Sequence, residues 1–492
     1  MVLSNLPMSY HRNAYRSLRL RWNGAFCTTN LAGRAFPGST SFLPKNLGAT
    51  ASRRFSDDNA TSPSTEEKKE TGGSPDPNPL RFVSHLKNPI VHQLWTARGA
   101  AKEAAASRNT PVDLEKPRTP AQSETKISYF FSKDEFLKET YRSPSGQMRF
   151  GKILEDLDAL AGNIAFAHVQ DPKTIIVTAS VDRIRLMGVP SIDMDQHLSG
   201  KVTYVGTSSM EIRMHCRDAS GYKWMEAYFT FVATNPVTKR PDRIAPLLPE
   251  TFQEHKEFEA AANRSAVKRE ARKQQKQGMY VAPDIEQTAK QLLEEAGPLL
   301  NMPSLANPHN ILVTQTELQS VEIAQPQARN MANQIFGGFL MRRACELAWS
   351  TAYVFGGERP LFYEVDQVQF SMPVNVGDML NFHSRVLYSV LKDDLPGFSG
   401  LKRSSSTGED GTKKNKIPLV SVEVETWIVD PSAASAKLSN QFYFTFALPG
   451  NNNTSIRKVL PSNMELARTM AMRMAADKAQ EEEDHQHTRL HR

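Results

Sequence analysis

From Asn330 to Met341 the chain reads Asn-Met-Ala-Asn-Gln-Ile-Phe-Gly-Gly-Phe-Leu-Met, a loop that closes on Gly337 and Gly338 where an apolar, helix-spaced run begins. Two glycines at a helix start remove the Cβ atoms that would block a bound group. They also bare backbone N–H groups at the positive end of the helix dipole. An oxygen that gains negative charge during a reaction can be held there. The same pair also suits plain close packing of a helix on a sheet, and a lone Gly-Gly is a weak signal. Asp158 is the second chemical feature. It falls inside the apolar run Leu154 to Ile164, where a carboxylate costs free energy unless it is partnered or functional. The plainer alternative is a helix-surface acid like its neighbours Glu155 and Asp156.

Other chemistries find less support. Cys27, Cys216 and Cys345 lie far apart, so neither a disulfide framework nor a cysteine zinc site is suggested. No His/Asp/Glu cluster has metal spacing, and there is no phosphate-binding P-loop and no G-x-S-x-G elbow. Cys345 has no histidine at a nearby helical spacing to form a thiolate pair, which favours a small packing residue. His168 is placed to cap the end of its helix. No run of about 18 apolar residues occurs, so a membrane span is not expected.

The 492 residues carry a net charge of +7, but the excess is local. Between Met1 and Ser56 there are eight Lys or Arg and no Asp or Glu, with many Ser and Thr, which is transit-peptide chemistry. Removing those eight from 60 leaves 52 basic against 53 acidic residues, so the basic total gives no ground for a nucleic-acid partner. Arg53-Arg54-Phe55-Ser56 resembles a mitochondrial matrix processing site, with cleavage expected after Phe55.

The elements that must position Asp158 and the glycine loop are repeated. Val181-Asp182-Arg183-Ile184-Arg185-Leu186, then Val202 and Tyr204, recur as Val365-Asp366-Gln367-Val368-Gln369-Phe370, then Val386 and Tyr388, at a constant offset of 184. Each half closes on the same alternating tetrapeptide, Tyr228 to Phe231 and Tyr443 to Phe446. Ahead of each repeat lies an apolar helical stretch, Phe150 to His168 and Phe336 to Val354. One long helix followed by successive strands, Thr174 to Leu186, Gly200 to Val205, Met210 to Cys216 and Tyr222 to Ala233 in the first half, argues for an α+β unit. A parallel, doubly wound sheet would alternate strands with helices instead.

With the Asn330 to Gly338 loop and this repeat in hand, the sequence resembles the acyl-CoA thioesterase group of the hotdog superfamily, over roughly residues 125 to 250 and 305 to 450. The resemblance implies two hotdog domains in tandem, each a long central helix wrapped by an antiparallel sheet. In that family a carboxylate lies seven residues beyond the second glycine. Counted from Gly151 this is Asp158, and counted from Gly338 it is Cys345, with Glu346 one further. The position eight before the second glycine is Asn330 in one half and Ser143 in the other. Family sites use a helix residue of one domain and a loop residue of its mate. Asp158 with Asn330 would then form one complete site, and Ser143 with Cys345 a degenerate one.

By this resemblance Asp158 is the general base, or less favourably a nucleophile, and Asn330 orients the water or the carbonyl. The N–H groups around Gly337, Gly338 and Phe339 bind the oxyanion. The first half has Phe150-Gly151-Lys152 in place of Gly-Gly, and Lys152 could meet a phosphate or simply face solvent. The implied reaction is hydrolysis of acyl-CoA to free acid and coenzyme A, with coenzyme A entering only as part of the substrate and no metal or other cofactor. A non-catalytic acyl-CoA-binding or sensing protein is the alternative. A hotdog hydratase would carry Asp-x-x-x-x-His, which neither helix has.

The expected organisation is a presequence at 1–55, a disordered linker at 56–88, and an N-terminal hotdog domain with its leading segment at 89–252. A charged, exposed helical linker follows at 253–304. The C-terminal hotdog domain spans 305–455, with a surface insertion at 402–416, and a charged helical tail, frayed at its end, covers 456–492. The expected partner besides acyl-CoA is the chain itself, as a trimer or a dimer.

Overall fold

The sheet is built first from strands whose burial alternates. In a computed structural model, which describes residues 88–108, 112–276, 282–330, 333–393, 395, 416–449 and 456–490, each half contains a short strand, a 20-residue helix and four further strands in that order. The presequence, nearly all of the linker at 56–88 and nearly all of the insertion at 402–416 lie outside the described residues. The first half runs α1 (Pro89–Ser107), β1 (Thr125–Tyr129), α2 (Glu135–Tyr141), α3 (Phe150–Val169), β2 (Ile175–Leu186), β3 (Gln196–Val205), β4 (Ser209–Asp218) and β5 (Lys223–Thr234). Two helices, α4 (Phe252–Lys276) and α5 (Pro283–Asn301), lead to the second half. It contains β6 (Asn310–Leu312), β7 (Leu318–Ile323), α6 (Gly337–Gly356), β8 (Leu361–Phe370), β9 (Met379–Asp393), β10 (Lys416–Asp430), β11 (Ser435–Ala447), β12 (Lys458–Leu460) and α7 (Met464–Leu490).

Ten strands form one sheet in the order β1-β3-β4-β5-β2-β8-β11-β10-β9-β7, so the second half repeats the first outward from a central seam. All pairings in it are antiparallel. At the seam β2 pairs with β8, Val181 opposite Val368 and Ile184 opposite Val365. Because Val365 is the repeat of Val181 and Val368 that of Ile184, this register is self-complementary, as a two-fold axis requires. The tetrapeptides explain the core: Phe229, Phe231, Phe444 and Phe446 turn inward, and Tyr228, Thr230, Tyr443 and Thr445 turn outward.

Both central helices have 20 residues, and each is stopped by a left-handed residue, Gln170 (φ 55°) and Gly357 (φ 72°). They pack on each other with Glu155 and Arg342 meeting at 3.2 Å. Gly151 lies against Arg342 and Gly338 against Glu155, so the helices obey the same two-fold relation at an offset of 187 residues, 337 less 150.

The linker helix differs from expectation. Instead of standing free, α4 lies on the outer face of the sheet and meets its charges with opposite ones: Lys201 with Glu254 at 2.7 Å, Arg213 with Glu257 at 2.8 Å, Arg264 with Glu211 at 2.6 Å and Lys268 with Asp182 at 2.5 Å. The tail helix α7 does the equivalent for the second half, its buried Arg473 reaching Asp366 at 2.7 Å. The repeated Val-Asp pair thus supplies an anchor for the helix that follows each half. His168 also departs from its expected role. It is fully buried, its Nε2 lies 2.9 Å from the Ala245 carbonyl, and burial lowers its pKa. It ties a loop down, and Gln170 ends the helix.

Candidate active site

Two loops of unlike sequence share one backbone design. Ahead of α6, the Asn330 N–H donates to the Gln334 carbonyl (2.6 Å), and Asn330 Oδ1 accepts the Gln334 N–H (3.1 Å) around left-handed Asn333 (φ 62°). Ahead of α3, the Ser143 N–H donates to the Gln147 carbonyl (2.7 Å), and Ser143 Oγ accepts the Gln147 N–H (3.1 Å) around Gly146 (φ 77°). Asn330 and Ser143 are therefore structural equivalents, 187 residues apart like the helices they precede.

The seam has two ends. At one, Asp158 of α3 is 4% exposed and points at the start of α6. Its Oδ2 accepts the Gly338 N–H at 2.7 Å and its Oδ1 accepts the Thr178 hydroxyl at 2.7 Å. Burial pushes the carboxyl up to about 6, although Thr178, Gly338 and the nearby Arg98 charge each pull it down. A carboxylate so placed is ionised near neutral pH yet basic enough to take a proton. Glu155 and Asp156 are buried too, so Asp158 is not one of a row of surface acids. Asp156 accepts the Tyr129 and Tyr141 hydroxyls, and burial pushes it up to about 7.

Space at this end requires glycine. A Cβ on Gly337 would stand 3.0 Å from Asp158 Oδ2, and one on Gly338 would stand 2.9 Å from the Glu155 Cα. The three N–H groups expected to receive an oxyanion divide differently. The Gly338 N–H is given to Asp158, and that of Phe339 goes to the Phe336 carbonyl at 3.1 Å in the first helical turn. That of Gly337, at the first helical position, has no partner within the helix.

Helix α1 covers this end. Trp95 packs edge-on to Phe336 at 5.3 Å between ring centroids, and the Leu94 carbonyl accepts Asn163 Nδ2 at 2.8 Å. The Arg98 guanidinium sits over Gly162, where a Cβ would come within 2.3 Å, and burial lowers its pKa to about 10 while Asp158 raises it. Thr178 and Arg98 were not singled out in the sequence.

At the opposite end Ser143 and Cys345 line one cavity of 900 Å³. Cys345 is buried and burial pushes its thiol well up, which suits a packing residue rather than a nucleophile. Lys152 is half-buried and lies 3.8 Å from Glu155, not out in solvent. Among the described residues no group of three or more His, Cys, Asp or Glu could hold a metal ion, and no helix is long and apolar enough to cross a membrane.

A long helix wrapped by an antiparallel sheet, present twice and joined so that each helix start faces the other copy, defines a tandem hotdog protein. The chain is 37% identical over 410 residues to the chloroplastic acyl-coenzyme A thioesterase 2 of Humulus lupulus, covering 79% of this chain and 89% of that one. It is 38% identical over 410 residues to the mitochondrial acyl-coenzyme A thioesterase 4 of the same plant, covering 80% and 74%. With the human mitochondrial acyl-coenzyme A thioesterase 9 it shares 34% identity over 287 residues, covering 56% and 65%. No family model matches the sequence. The chain belongs to the acyl-coenzyme A thioesterase family.

Proposed function

We propose that the chain hydrolyses acyl-CoA thioesters to free acid and coenzyme A with Asp158 as general base at the α1-covered end of the seam. The observation that carries this is a buried carboxylate, raised to about 6, held by the first turn of the opposite half's helix. Asp158 takes a proton from water, and the hydroxide attacks the thioester carbonyl. The oxyanion is received by the Gly337 N–H and the Asn330 side-chain amide. Collapse breaks the carbon–sulfur bond and expels the thiolate, which takes from Asp158 the proton that came from water, leaving free acid and coenzyme A thiol. With Asn330 Oδ1 accepting the Gln334 N–H, what this amide contributes is donation from Nδ2. Gly338 serves as the donor that holds the base. Pairing of Asn330 with Asp158 draws support from the other end, where their equivalents Ser143 and Cys345 line a single cavity.

Free-thiol release by the full chain, over acyl-CoAs of increasing length, tests the reading. Asn330→Ala is expected to lower kcat/KM on the order of 100-fold, and Cys345→Ala to leave it within about threefold because a buried neutral thiol contributes packing only. Unchanged turnover in Asn330→Ala would end the two-half mechanism.

The pH profile tests the base. A base must be ionised to act, so kcat/KM should fall as pH drops through about 6. Thr178→Val removes a bond to the ionised form, and the acidic limb should then move up by roughly half to one pH unit. A limb that stays in place would show that another group controls it.

The matrix of mitochondria is the proposed location, supported by the acid-free segment ending at Arg53-Arg54-Phe55-Ser56. Self-association, as a trimer or else a dimer, is proposed as well. Val321 and Ile323 on the outermost strand β7 are half exposed, at 54% and 50%, and suit contact with another copy.

A further inference from the structure

The two ends of the seam are built alike and filled differently. Arg149, Trp349 and Ser350 line the 900 Å³ cavity at the Cys345 end. At the 187-residue offset their equivalents are Phe336, Gly162 and Asn163, which are the positions that meet Trp95, Arg98 and Leu94 of α1. The volume that α1 occupies at the catalytic end is open at the other. A volume near 900 Å³ falls at the upper end of the usual range for small-molecule sites.

The walls suit a molecule with an apolar chain and an anionic head. Phe150 stacks on Phe362 at 4.3 Å between centroids, and Phe446 and Leu361 continue the apolar lining. Arg142, Arg149 and Arg359 also line it, and Arg359 is exposed. Arg149 and Arg343 both pair with Glu346, and Arg142 pairs with Glu139, so the carboxylates lining the cavity are neutralised by guanidinium groups and Arg359 is left facing out. The position of the base is taken by Cys345.

We infer that this cavity binds a second molecule of acyl-CoA thioester and holds it uncleaved, the acyl chain against the aromatic wall and the phosphates toward the arginines. The inference rests on the proposed function for the choice of ligand and on the cavity for its place. A bound thioester there meets the Ser143 loop in the geometry of the Asn330 loop, and among the described residues the two carboxylates that line the cavity, Glu139 and Glu346, are each paired with an arginine.

Titration calorimetry of octanoyl-CoA into the full-length Asp158→Asn variant, which cannot consume the ligand, is expected to give two binding events per chain. In that background Ser350→Trp, whose ring would project into the cavity and obstruct it, should leave one event. Arg359→Glu, at an exposed position, should weaken the same event on the order of tenfold by reversing a charge near the phosphates. A single event untouched by either change overturns the inference and leaves the catalytic reading standing. Two events that both survive Ser350→Trp and Arg359→Glu also overturn it. If the wild-type chain releases no thiol while two events persist, the catalytic reading fails and the cavity remains a ligand site.

Discussion

Asp158→Asn is expected to abolish thioester hydrolysis and at the same time to make the fold more stable. Loss of a positioned general base should lower kcat/KM on the order of 10³-fold. The stability effect follows from the same burial. The carboxyl is raised from 3.8 to about 6 in the fold, so the fold favours the neutral form. Its contribution is complete below the unfolded value near 4 and is lost as pH rises through about 6, leaving an ionised buried group at neutral pH. At roughly 1.4 kcal/mol per pKa unit the wild type carries up to about 3 kcal/mol of unfavourable free energy at pH 7 that an amide would not. The new side chain can keep both bonds, its oxygen accepting the Gly338 N–H and its nitrogen donating to the Thr178 hydroxyl. Denaturant unfolding at pH 7 should therefore show a gain for the variant that shrinks to nothing near pH 4. An inactive variant with no such gain would mean that Asp158 is ionised without strain, and an active one would remove it from the mechanism.

Gly338→Ala should cause the largest loss of fold stability among changes at the site. The added Cβ would stand 2.6 and 2.8 Å from the Phe336 ring and 2.9 Å from the Glu155 Cα. The ring can turn, but the Cα belongs to the backbone of α3, so the two central helices must separate. Overpacking of this kind typically costs about 1 to 3 kcal/mol. Separation also draws the Gly338 N–H away from Asp158, and misplacing a catalytic group by about an ångström can cost about 100-fold in rate. Thermal unfolding and kcat/KM should fall together. A variant with the wild-type melting temperature would contradict the helix-to-helix contact described above.

Much of this was legible because it repeats at short range. The inward Phe229 and Phe231, the two central helices and the Gly337-Gly338 start all follow from alternation, helical spacing and a glycine pair, and Asp158 stood out as an acid within an apolar run. What was not legible depends on contacts far apart in sequence. Thr178 looks like any strand threonine until its hydroxyl is seen on Asp158. Helix α1 is rich in Ala and polar residues, and nothing in Arg98 itself says that it will lie over Gly162. The charge pattern of α4 fits solvent as well as a charged sheet, and only the positions of Glu211 and Asp182 decide for the sheet. His168 was misread because helix-end position was considered without the Ala245 carbonyl that reaches it.

The self-complementary register of β2 on β8 has a hereditary consequence. Two separate, identical subunits meeting this way would express every substitution at both ends, so losing an acid from one would lose it from its twin. Covalent joining breaks that bond of inheritance. Each copy can then mutate alone, and an aspartate in one half with a cysteine in the matching place of the other is a difference that two identical subunits could not carry.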